Sequence, residues 1–429
     1  MRLRFIHALS GRLPFYYGWI VLAAVCAASF SRQGPAVATL SIFIEPMTSE
    51  FGWSRTEISG AVSLGGILGA VAAPLIGPFL DKNGARTILC FAVLTTGIPL
   101  LLISTVNALP LFYVFYCFAR MNFTGPYDIG IYGSVVNWFH EKRSFATSVT
   151  TVALMTGLVA MPLIAHFAMQ AGGWRSAWIA VGATVLIVGF VPAWLFLVRR
   201  PEDLGLAIDG KNAVQSGAKS ADSGGEPTDA SPPEPAFTRA EAMRTPAFWL
   251  LSAFTALVWP IQAGVSLHQA PFLIERGLDP TVAATAVSTF SLTSAIIGFG
   301  FGFWPKRVPL RFALVLVGFL LGAAALAMHA VASVSMAYGA AILFGCGIGG
   351  LLTMLPIAWA DFFGRRSYGA IRGAALTIQV ASQAAGPLIA GALRDITGTY
   401  DTPLLTFAAF GFAAGAVALL AKPPKPAAP

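Results

Sequence analysis

Arg32 and Arg120 each stand near the middle of a long apolar segment. A guanidinium in hydrocarbon costs several kcal/mol and is kept only where it faces a watery cavity or a partner. Two at similar depth point to a polar chamber that attracts an anion, and each planar fork suits a carboxylate bidentately. Tyr113, Tyr116, Arg120, Thr124 and Tyr127 recur at helical spacing on one face of one segment. Asp128 follows two turns after Arg120, about 80° around a helix that turns roughly 100° per residue. Gln33 adjoins Arg32, while Trp259, Gln262 and His268 share a later segment and Gln379 and Gln383 lie one turn apart on another. The expected binding set is Arg32, Gln33, Tyr116, Arg120, Thr124, Tyr127, Trp259, His268, Gln379 and Gln383. Asp128 is the candidate proton carrier: a carboxylate that claims Arg120 would deprive Asp128 of its partner, so that anion and proton load together. The competing reading makes Arg120 and Asp128 a structural pair, since buried ionic groups are often partnered for structure. Two cations against one carboxylate still leave a cation for a substrate. His268 also reads as a gate-lining histidine near the outer end of its segment, and His166 as structural.

Membrane helices must carry these residues. The chain has 429 residues, 56% hydrophobic and 11% charged, against about 25% charged in soluble domains. Apolar stretches near residues 16–44, 54–80, 85–106, 109–138, 145–170, 174–198, 246–274, 281–304, 310–331, 335–360, 370–393 and 403–421 predict twelve transmembrane spans, each able to cross roughly 30 Å of hydrocarbon. With the N-terminus taken as cytoplasmic, 21 of the 27 Lys and Arg fall on the cytoplasmic side and four, Arg55, Arg175, Arg276 and Arg394, on the other. This is the positive-inside bias. The net charge of +8 is therefore a topology signal and not a nucleic-acid surface. Lys142-Arg143, Lys306-Arg307 and Arg365-Arg366 lie in short loops between spans. Cys26, Cys90, Cys117 and Cys346 fall inside spans with no metal or pairing pattern. Neither a phosphate-binding loop nor a nucleophile–base pair can be assembled, so enzymatic and ATP-driven activities find no support. No cofactor or metal is called for. The first apolar segment reads as a retained span and not as a cleavable signal.

The chain divides into 1–198, a cytoplasmic linker over 199–245, and 246–429. The linker is rich in Ser, Gly, Pro, Asp and Glu, with almost no apolar content from Ser216 to Pro235, and reads as disordered. It ends in a short helix opened by a capping box of Thr238 and Glu241. Six spans lie on each side, and the halves align at one offset of 225 residues. Gly52, Val62 and Ser63 match Gly277, Val287 and Ser288. Gly77 matches Gly302, and Pro162-Leu163-Ile164-Ala165 matches Pro387-Leu388-Ile389-Ala390. Parallel six-helix repeats are a transporter architecture with the substrate site near midplane between the halves. The expected fold is an all-α membrane protein, twelve transmembrane helices in two pseudo-symmetric six-helix bundles.

Residues 77–86 read Gly-Pro-Phe-Leu-Asp-Lys-Asn-Gly-Ala-Arg. They resemble the cytoplasmic loop motif of the major facilitator superfamily, G-x-x-x-D-x-x-G-x-R. Gly77 would allow close helix contact and Gly84 the turn. Asp81 would pair with Arg86 or a neighbouring helix end, forming a latch between the halves. The plainer reading is that Asp81 caps a turn. Tyr17-Gly18-Trp19, Phe51-Gly52-Trp53-Ser54-Arg55, the stretch Trp138 to Ala146, and Phe363-Gly364-Arg365-Arg366 followed by Gly369 and Ile371-Arg372-Gly373 narrow the resemblance. Together they resemble the monocarboxylate porters and the neighbouring oxalate/formate antiporters along the whole chain. Two features depart from that branch. Residues 281–304 lack the acidic–basic pair of monocarboxylate porters, and mid-span eleven holds Gln379 and Gln383 where the antiporters carry a basic residue.

The combined reading is a secondary active transporter of small organic anions, of the monocarboxylate class, with proton symport by alternating access. Its partners would be a small carboxylate, protons and membrane lipids, without nucleic acid. Its place would be the bacterial inner membrane, multi-pass, with both termini cytoplasmic. One alternative is a proton-driven efflux antiporter of drugs or amphiphiles. Such antiporters carry a Gly-Pro-rich signature in span five, where this chain has only Gly157 and Pro162. Another is a non-transporting anion sensor, whose usual mark would be an added soluble domain.

Overall fold

A computed structural model describes residues 6–7, 10–210, 235–305 and 307–424. The polar run from Ser216 lies outside them up to Pro235, as does Lys306. The described residues form helices and no strands, arranged as two six-span halves. Among them, nine helices are long and apolar enough to cross a membrane. Three departures from simple spans account for the remainder of the twelve.

The first is a fusion. Spans five and six run as one stretch over Arg143–Phe196. They are separated at Gly172 and Gly173, where φ/ψ leave the helical region and Gly173 takes φ +76°. The other two departures are breaks. Span one is two helices, Gly18–Ser31 and Val37–Phe51, and span four is Leu109–Thr124 and Pro126–Trp138. Continuous helices were expected in both places. Each break falls at a Gly-Pro pair, Gly34-Pro35 and Gly125-Pro126. Proline lacks the N–H that would continue the ladder, and it pushes the residue before it out of the helical region.

Span two is Arg55–Asn83, span three Ala85–Ile103, and spans seven to twelve are Pro246–Glu275, Pro280–Phe301, Leu310–His329, Val334–Phe363, Tyr368–Thr397 and Asp401–Leu420. Their outer faces are apolar and bare: Leu75 is 75% exposed and Leu388 72%. In water such faces would mark an interaction surface; in a multi-pass membrane protein apolar exposure of this kind suits contact with lipid.

The described ends of the segment joining the halves, 199–210 and 235–245, pack on the spans; only the short helix at its second end was expected. Asp209 accepts hydrogen bonds from the backbone N–H of His140 (3.1 Å) and Glu141 (2.7 Å). Phe237 is buried and donates its N–H to Phe363 O. The Thr238–Glu241 capping box forms as expected at Arg239–Arg244.

The halves meet through spans two and eleven and through spans five and eight. Gly77 and Gly369 oppose each other, and a Cβ on either would strike the other's carbonyl. A Cβ on Gly302, the repeat counterpart of Gly77, would strike Ser148. Phe145 of span five packs on Phe299 and Phe303. Arg143 and Asp361 join the halves at 2.6 Å, and Arg365 ties the second half to Glu202 of the linker at 2.7 Å. All of these lie on the side that carries Asp81. On the opposite side the described ion pairs stay within one half: Glu50 with Arg175, Arg276 with Asp401, and Arg394 with Glu275. The molecule is therefore closed at the Asp81 side.

Candidate functional site

The two broken spans put the site's chemistry in one place. The break in span one exposes the carbonyl of Pro35. Span four satisfies it twice, with the Tyr116 hydroxyl donating at 3.0 Å and Arg120 Nη1 at 3.2 Å. Irregular backbone at membrane depth is tolerated only where protein or water meets its polar groups. Arg32 sits at the end of the first helix of span one, 7% exposed. Its guanidinium and that of Arg120 lie over the same ring, Phe123, at 4.7 and 4.1 Å from the centroid. A ring face attracts a cation by up to about 2 kcal/mol when water is excluded, so Phe123 offsets part of the cost of holding two cations side by side.

Asp128 is 4% exposed, in the first turn after the Gly125 break. Its expected partner was Arg120. The structure instead pairs Oδ2 with Arg32 Nη1 at 3.6 Å and Oδ1 with Arg372 Nη2 at 3.2 Å. Among the described residues no carboxylate is within ion-pair distance of Arg120. The reason is reach: Arg120 is committed to Pro35 and Phe123, while Asp128 turns toward the other half.

Arg372 is the residue the sequence reading missed. Counted among the cytoplasmic basic residues, it is 2% exposed inside span eleven. Its Nε donates to Asp128 Oδ1 at 3.2 Å and its Nη2 to Gln379 Oε1 at 2.9 Å. The middle of span eleven carries no basic residue, as expected, but Arg372 reaches Asp128 from the beginning of that span. A signal existed: Arg372 and Gln379 are seven residues apart, two turns on one face. Arg143, also read as a loop charge, is buried in its pair with Asp361.

The remaining candidates divide. Thr124 is buried at the break and Tyr127 is fully buried beside it. Gln33 is buried against span five, where Gly157 leaves room for the Gln33 chain and Phe30 O. In the other half, Gln383 Nε2 donates to Gln262 Oε1 at 3.1 Å, tying span eleven to span seven. Trp259 is buried nearby on span seven. His268 turns to span twelve, its Nδ1 3.1 Å from the Tyr400 hydroxyl, and joins none of the charged groups above.

At the latch, Asp81 accepts from the backbone N–H of Gly369 (3.0 Å) and Ala370 (2.9 Å), the first turn of span eleven. Of the two expected partners, the neighbouring helix end is the one used. A helix N-terminus offers free N–H groups and a positive dipole end to a carboxylate. Arg86 instead lies over Trp194 at 5.9 Å, and Arg199 Nη2 donates to the Asp81 carbonyl. Gly84 turns the chain at φ +81°.

A cavity of about 690 Å³ lies elsewhere, between His140, Arg143, Trp304, Arg311, Asp361 and Lys422. Its buried cation, Arg143, is already matched by Asp361. In the central cluster Asp128 is shared by Arg32 and Arg372, while Arg120 meets only the Pro35 carbonyl and the Phe123 ring, so this cluster carries more positive than negative charge.

Residues 20–387 match the Major Facilitator Superfamily. The chain is 25% identical to an oxalate:formate antiporter of Oxalobacter formigenes, over 90% of this chain and 88% of that one. It is 22% identical to monocarboxylate transporter 11 of Mus musculus, over 92% and 85%. Among solved structures it is similar to the superfamily transporter FucP in the outward conformation, with TM-score 0.71 and 12% identity over 95% of this chain and 99% of that one. It is also similar to the human organic anion transporter MFSD10, with TM-score 0.66 and 15% identity over 94% and 98%. Fold, repeat and family match agree, and the chain belongs to the Major Facilitator Superfamily, a family of transporters rather than enzymes.

Proposed function

We propose that this transporter moves small organic anions, of the monocarboxylate class, together with protons. The observation that carries the reading is the charge of the central cluster, Arg32, Arg120 and Arg372 against Asp128 alone. Such an excess of buried positive charge is costly unless an anion enters. The names of the relatives, an oxalate:formate antiporter and a monocarboxylate transporter, point to the same chemical class.

In this reading Arg32 and Arg120 hold the carboxylate, with Phe123 behind them and Tyr116 fixing the Pro35 turn. Gln379, Gln383 and Trp259 shape the wall given by the other half. Asp128 carries the proton: an anion that draws Arg32 away leaves its carboxylate with one cation fewer, which favours protonation. Gly77 and Asp81 form the latch against span eleven, Gly84 turns the chain beside it, and Arg86 stands apart over Trp194. The basic loops favour a cytoplasmic latch side with both termini there, and in that reading the present state faces outward.

Purified protein in proteoliposomes tests this by competition among small carboxylates, amphiphilic cations and sugars, with and without an imposed pH gradient. Competition by carboxylates and accumulation driven by the gradient support the reading. Competition by amphiphilic cations alone would replace it with efflux.

A further inference from the structure

We propose that Arg372 is the positioning residue through which the central site governs closure at the Asp81 side. Its place in the fold is the argument. Arg372 lies one turn inside span eleven, two residues beyond Ala370, whose N–H is held by Asp81. The same turn therefore carries both the latched backbone and a buried guanidinium. That guanidinium crosses the interface between the halves, with Nε and Nη2 both 3.2 Å from Asp128 Oδ1 on span four. The other oxygen of Asp128 faces Arg32 at 3.6 Å. One carboxylate is thus shared between a cation of the anion site and a cation of the moving interface.

The two demands compete. When the halves part at the Asp81 side, spans four and eleven separate there, so the Asp128–Arg372 pair exists only in the closed state. An ionised Asp128 holds Arg372 and keeps that side shut. A protonated Asp128 has no charge with which to hold it. Protonation is favoured once an anion has drawn Arg32 away, so opening waits for both. The ionisable groups around Asp128 are Arg32 of span one, Tyr132 of its own span, and Arg372 and Tyr368 of span eleven. Arg372 Nη1 is buried without an acceptor, so its present hydrogen bonds leave it incompletely satisfied.

The inference rests on alternating access and not on which anion is carried, and its test uses no anion. Spin labels at Lys82 and Arg366, both exposed on the latch side, are introduced into full-length protein with its four cysteines replaced. Pulsed EPR then reads the distance between them. The unmodified interface should give mainly the short distance. Arg372→Gln and Asp128→Asn should each raise the long-distance fraction about tenfold, the scale of a lost hydrogen bond to a charged group. The double variant should go no further than the larger single effect. Arg372→Lys keeps the charge but cannot bond Asp128 and Gln379 together; it should give an intermediate shift, and it decides the matter if the Gln variant does not fold. Unchanged distances, or effects that simply add in the double variant, would overturn the proposal.

Discussion

Asp81 on span two reaches the backbone N–H of Ala370 on span eleven at 2.9 Å, with Gly369 beside it at 3.0 Å. A side chain from one half thereby caps a helix of the other. In the proposed cycle the contact belongs to the closed state, so its strength would set how readily that side opens. Asp81→Asn removes the charge but keeps one acceptor, at a cost of about 1–2 kcal/mol to the closed state. Turnover in proteoliposomes should fall while the Kd for the anion changes little. Wild-type turnover in a folded variant would show that Asp81 only caps a turn.

Tyr116→Phe removes one of the two donors to Pro35 O. The buried carbonyl keeps Arg120, so the loss should be about 1 kcal/mol, or roughly fivefold in affinity. It should come as weaker anion binding, since Arg120 is drawn more firmly to Pro35. Titration calorimetry against wild type reads it directly; unchanged affinity would separate the span-one break from the binding site.

Asp128→Asn mimics the protonated carboxyl. Anion exchange down a gradient should persist, whereas accumulation driven by an imposed pH gradient should be lost. A counterflow assay and a gradient-driven uptake assay on the same vesicles distinguish the two. Uphill uptake at the wild-type level would leave Asp128 a structural partner of its two arginines.

Glu50, at the helix end beyond the apolar stretch 16–44, accepts from Arg175 and from the Trp174 indole. The Arg175 hydrogen bond first, and then the indole, hold its carboxyl below the usual glutamate range. The folded value is depressed, so the stabilisation is complete above the unfolded glutamate value of about 4.3 and fades as pH falls through the folded one. Melting temperature should therefore drop on acidification less steeply in Glu50→Gln than in wild type. Parallel curves would show that the contact does not contribute.

The spans, their repeat and the latch motif were legible because hydropathy over twenty residues and a fixed glycine spacing are local properties. The breaks at Gly34-Pro35 and Gly125-Pro126 were written in the sequence too, yet Gly77-Pro78 and Gly386-Pro387 sit in unbroken helices. Which pair breaks a span depends on what receives the freed carbonyl, here Tyr116 and Arg120 from another span. The same limit hid Arg372. Near a span end, a guanidinium is indistinguishable by sequence from a loop charge until its partner, Asp128 of the other half, is known to face it. Pairing Asp128 with Arg120 failed because helical spacing orders residues along one span and says nothing of what lies across the interface.

The central claim is that Arg32 and Arg120 hold the anion. It is tested most directly by isothermal titration of purified Arg32→Gln and Arg120→Gln with the carboxylate that competes best in the transport screen. Each variant should bind at least about a hundredfold more weakly than wild type, the scale of a lost buried charge contact. Arg→Lys at either position should recover only part of the affinity, since the fork geometry is lost. Wild-type affinity in both Gln variants would contradict the account and move the site to Gln379 and Gln383.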